Sequence, residues 1–119
     1  MAVSLLTNTS TNNTVGINAQ TGTSYTFVAA DQNNVVVTLA NAAAITLTIP
    51  PNSSVAYPVG TVLNFAQTGA GAVTVTQGSG VTITSNGATA SAPKTRVQYS
   101  AGSAIQTSAN NWLVIGDLA

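Results

Sequence analysis

Two stretches of this chain, Ile45-Thr46-Leu47-Thr48-Ile49 and Val73-Thr74-Val75-Thr76, alternate aliphatic and hydroxyl residues without a break. A period of two is the signature of extended chain, because successive side chains of a strand point to opposite faces. Each stretch therefore presents one apolar face and one face of threonines, and β-branched residues suit a pleated surface. Similar runs recur from Ser24 to Val28, Val35 to Leu39, Ala44 to Ile49, Thr61 to Gln67, Ala72 to Thr76, Val81 to Thr84, Arg96 to Ser100, Ala104 to Thr107 and Asn111 to Ile115. Turn chemistry separates them. Gly69-Ala70-Gly71 and Gly78-Ser79-Gly80 supply positive φ, Asn86-Gly87 has the residue types of a tight hairpin turn, and Pro50-Pro51 and Pro58 stop strands. The helix-like Ala40 to Ala44 segment is too short to stand alone.

Many short strands with no crossover helix predict an all-β fold: a single antiparallel β-sandwich or jelly-roll-like domain over residues 21–119. A Gly-rich β-solenoid is the second architecture compatible with these strands. It ranks behind because the turns come at unequal intervals and no repeat of fixed period appears. Residues 1–20 are Asn/Thr-rich with sparse apolar positions and read as an extended N-terminal arm, either a tail or a segment that orders against a neighbouring subunit. Asn12, Asn13, Val15 and Ile17 are its interface candidates.

The 119 residues carry only four charged side chains, Asp31, Lys94, Arg96 and Asp117, and contain no Glu, His or Cys. The common general bases, soft metal ligands and thiol nucleophiles are thus missing, and no catalytic residue, cofactor or metal site is expected. Asp31 sits in turn-like Ala30-Asp31-Gln32-Asn33-Asn34, where an Asx-turn is its expected role. Lys94 and Arg96, two residues apart, would share one face of an extended strand, and they are the basic interface candidates. One lysine and one arginine cannot neutralise a phosphate backbone, so nucleic acid is not an expected partner. The N-terminus lacks the basic and long apolar regions of a secretory signal, and no run approaches the ~20 residues of a membrane span. A soluble chain made in a cytoplasm is expected, and zero net charge favours self-association. Core packing is the default for the aromatics, with Trp112 and Tyr57 kept as possible stacking platforms for a sugar.

The run Ile45–Thr61, continued through Phe65–Val75 and Gly80–Ile83 and joined to Tyr99-Ser100-Ala101 and Trp112–Leu118, resembles β-rich modules of tailed-bacteriophage virion proteins. Such modules occur in capsid decoration (cement) proteins and in tail fibres. The resemblance implies a virion surface protein, commonly a homotrimer, that clamps the major capsid protein. Its alternative is a receptor- or glycan-binding module of a tail or head fibre.

Overall fold

The computed structural model describes residues 14–119. In chain order the strands are β1 (Gly16–Gln20), β2 (Ser24–Thr26), β3 (Val35–Leu39), β4 (Ile45–Ile49), β5 (Val62–Gln67), β6 (Val73–Gln77), β7 (Thr82–Ser85), β8 (Ala101–Ser108) and β9 (Asn111–Gly116), with one 3₁₀ turn at Ala29–Gln32. They form a six-stranded sheet in the order β1-β3-β5-β8-β9-β7 and a three-stranded sheet in the order β2-β4-β6.

The antiparallel sandwich expected from the sequence is not what forms. The three-stranded sheet is parallel throughout, and in the larger sheet β1, β3 and β5 are parallel, as are β7 and β9. Among the nine strands, antiparallel pairing comes from the β8–β9 hairpin, to β5 and within itself. From β1 to β6 the chain winds, laying one strand in the large sheet and the next in the small one. The crossover that parallel strands require is thus itself a strand in the opposite sheet, and no helix is needed. This winding belongs with the solenoid alternative. Its period is hidden because one corner varies in length, running from Thr26 to Val35 in the first coil, Ile49 to Val62 in the second and Gln77 to Thr82 in the third.

Alternation then decides what lies between the sheets. Val37, Leu39, Leu63, Phe65, Trp112 and Val114 from the large sheet meet Ile45, Leu47, Ile49, Val73 and Val75 from the small one, and all are buried. Each such side chain contributes about 1.5–3 kcal/mol by leaving water. Gly71 is required where the third coil crosses the second. A Cβ there would collide with the Ala43 carbonyl.

A polar tie links the sheets to the C-terminal segment. Buried Thr95 donates its hydroxyl to Gln67 Oε1 on β5 at 2.5 Å and accepts the Val73 N–H on β6 at 2.8 Å. Residues 93–95 also run along the β6 edge, with Val75 N donating to Pro93 O and Thr95 N to Val73 O at 2.8 and 2.9 Å.

Two expected segments change character. Arg96 to Ser100 is no strand but a turn, closed by Ser100 N to Val97 O at 3.0 Å. Residues 16–20, assigned to the arm, are the edge strand of the large sheet, whereas Asn12 and Asn13 lie outside the described residues.

Candidate functional site

Both sheets turn an uncharged outer face to the surroundings. On the small sheet, in-register pairing lines up Ser24–Thr46–Thr74 and Thr26–Thr48–Thr76, two rows made wholly of hydroxyl residues. Thr48 and Thr76 share a hydrogen bond across the strands at 3.0 Å. On the large sheet, one row reads Ile17–Val36–Asn64–Ser103–Ile115 and the next contains Val62, Ile105 and Leu113. Ile17 is 63% exposed, and Val62, Leu113 and Ile115 are exposed with it. The two polar members of the first row are joined, Ser103 Oγ donating to Asn64 Oδ1 at 2.6 Å. No residue of the nine strands is charged.

The four charges are held elsewhere. Asp31 is 2% exposed in the 3₁₀ turn, and its oxygens accept from Asn18 Nδ2 at 2.9 Å, Tyr25 Oη at 2.8 Å and the Val28 N–H at 2.9 Å. The backbone bond runs back to Val28 rather than forward as in an Asx-turn. Three donors meet the needs of this buried carboxylate and fasten the first coil to the turn that follows it. Burial, with the neighbouring Asp31 carboxylate, pushes the Tyr25 phenol up to about 12. Tyr57 is raised as well, chiefly by burial.

Arg96 and Asp117 pair with each other. The guanidinium donates twice to the carboxylate, at 2.7 and 3.0 Å, and Ser100 Oγ adds a third bond at 2.7 Å. Arg96 thereby lowers the Asp117 carboxyl below its ordinary range. This bidentate geometry fixes the chain end beside the 96–100 turn, although an ion pair so open to solvent stabilises little. Lys94 stands apart, bridged through its backbone to Thr74 at the rim of the threonine face. The sequence expected Lys94 and Arg96 to share one face, and both are exposed on either side of buried Thr95; Arg96 is engaged within the chain by Asp117.

The stacking platforms suggested by the sequence are internal. Trp112 and Tyr57 are 2% and 4% exposed and meet edge to face with centroids 5.6 Å apart, so neither ring offers a face to a sugar. The exposed aromatic is Tyr99 instead, 75% accessible beside half-exposed Val97. Its φ of 72° is unusual for a bulky residue. That backbone is held by Tyr99 N donating to Gln67 O at 2.7 Å. Sequence reasoning missed Tyr99 because it reads as one strand residue among several. The threonine faces of single strands were legible, but their alignment into rows was not, because register is invisible within a single strand. Val15 is exposed just ahead of β1.

Among the described residues no three His, Cys, Asp or Glu side chains converge, and no helix is long and apolar enough to cross a membrane. Compared with known proteins, the chain matches no family model and no curated relative.

Proposed function

We propose that this chain is a structural virion protein: a capsid decoration (cement) protein that binds the outer capsid surface as a homo-oligomer and stabilises contacts between capsid subunits. The observation that carries this reading is the pair of broad, strand-built outer faces without a single charge, in a chain whose few ionic groups are turned inward, paired or set at a rim. Such surfaces function by contact. Their hydroxyls and aliphatic groups bind a neighbour with little salt dependence, since screening acts on ions. Tyr99, projecting from a hydrogen-bonded turn beside Val97, supplies a preorganised anchor of the residue type enriched at binding hot spots. The resemblance of the 45–83 region to phage virion modules points the same way. The glycan-binding alternative has lost the two rings that would have carried it. Neither catalysis nor a cofactor has a part in this reading.

Quantitative mass spectrometry of purified virus particles tests it. A copy number comparable with that of the major shell protein is expected, and absence from the particle would refute the assignment. A Tyr99→Asn variant adds resolution, because asparagine tolerates the left-handed backbone and leaves the fold intact. Its occupancy on particles should fall by ~10-fold or more, on the scale of a lost hot spot.

A further inference from the structure

We infer that the outer face of the six-stranded sheet is a self-association surface, on which a second copy of this chain docks face to face about a two-fold axis. The inference deepens the homo-oligomer part of the proposed function and rests on the composition and register of one face.

That face is aliphatic where the threonine face is not. Ile17, Val36, Val62, Ile105, Leu113 and Ile115 all point outward from it around the polar Asn64–Ser103 pair, and a broad, mostly aliphatic face with a polar centre suits an interaction site. Six strands spaced ~4.8 Å apart, each about 17–20 Å long, project roughly 500 Å². Side-chain relief adds to that area, which brings it to the scale of the ~800 Å² per partner in a standard stable interface. A depression of about 400 Å³ bordered by Val36, Asn64, Ser103 and Ile115 gives the face relief for interdigitation.

The register makes the centre of the face self-complementary. An isologous interface needs an axis lying in the interface plane. An axis parallel to the strands and midway between β5 and β8 exchanges β5 with β8 and β3 with β9. Val36 then faces the partner's Ile115, Asn64 the partner's Ser103, Val62 the partner's Ile105, and Ala66 the partner's Ala101. In these four central pairs apolar meets apolar and polar meets polar. The central Asn64–Ser103 pair is hydrogen-bonded within each chain through Asn64 Oδ1, which leaves the Asn64 Nδ2 donors to reach the partner's Ser103 Oγ across the interface. Two twisted sheets cross at about 30°, which keeps the central contacts and lets the corners diverge. The threonine face, with Lys94 at its rim, lacks this pattern and is left to water or to a shell.

Light scattering on the purified full chain at micromolar concentration tests the inference. A dimer is expected, and Ile115→Lys should weaken it ~30-fold or more, the scale of a lost hot spot. Thr46→Lys on the opposite face should leave it a dimer. Crosslinking tests the axis independently of that variant's folding. The chain is cysteine-free, so a short bismaleimide should join Val36→Cys chains to Ile115→Cys chains in a mixture but neither kind to itself. A monomeric or trimeric wild type, a dimer indifferent to Ile115→Lys, or crosslinking of like with like would overturn the proposal. Particle occupancy is read separately, so loss of the dimer and loss of the virion role are distinguishable.

Discussion

The two outer faces follow the same local rule and come out chemically different. Both are the solvent side of strands whose inner residues are buried, and both are uncharged. Yet the small sheet stacks Ser24–Thr46–Thr74 and Thr26–Thr48–Thr76, while the large sheet stacks Ile17 on Val36 and Ile105 on Leu113. A wet face of a parallel sheet is well served by threonine, which keeps β-branching and offers water a hydroxyl. An aliphatic wet face costs solubility, so its persistence on one side points to something that covers it.

The largest perturbation tests what the faces share. Leu47 is fully buried between the sheets, and Leu47→Ala should cost about 2–5 kcal/mol in chemical denaturation and disturb both faces together. Next comes the tie at Thr95. Replacing it by the near-isosteric valine leaves Gln67 Oε1 and the Val73 N–H without this partner, an expected loss of about 1–3 kcal/mol read in the same experiment. If Thr95→Val proves neutral, the two sheets are held by apolar packing alone.

Sharper still is to make the faces alike. The triple variant Thr46→Val, Thr48→Val, Thr76→Val should stay folded by circular dichroism and yet form larger species in light scattering, because the second face has become adhesive. Unchanged mass would mean that aliphatic content does not distinguish the faces.

A smaller effect concerns the first coil. Tyr25 ionises in the unfolded chain near the ordinary phenol value of 10.0 but in the folded one only at about 12. Its folded form therefore binds the proton more tightly, and stability present below pH 10 is lost as pH rises towards 12. Alkaline titration of the folded protein should reveal this decline, and Tyr25→Phe should reduce it.

The alternation of Ile45–Ile49 and Val73–Thr76 was enough to read strands β4 and β6 and their buried positions, and Val35–Leu39 is β3 to the residue. Pairing direction was not legible. Parallel and antiparallel neighbours share the period of two, and the inference from missing helices failed because β2 and β4 serve as the crossovers. β1 was lost for a different reason. Its inward residues, Asn18 and Gln20, are polar because they belong to the Asp31 network at the end of the coil, so Gly16–Gln20 does not look like a core strand. Arg96–Ser100 fails the other way: its residues suit a strand, but the turn at Tyr99 and the pairing of Arg96 with Asp117 were decided by tertiary contacts.

The central claim, that the large sheet's outer face is covered in the working protein and the threonine face is not its equivalent, is tested most directly by hydroxyl-radical footprinting across a concentration series. Val62, Leu113 and Ile115 should become protected as the chain associates, while Tyr99 on its separate turn stays reactive in the free protein. Equal labelling of those three side chains at every concentration, with the chain associated throughout, would contradict it.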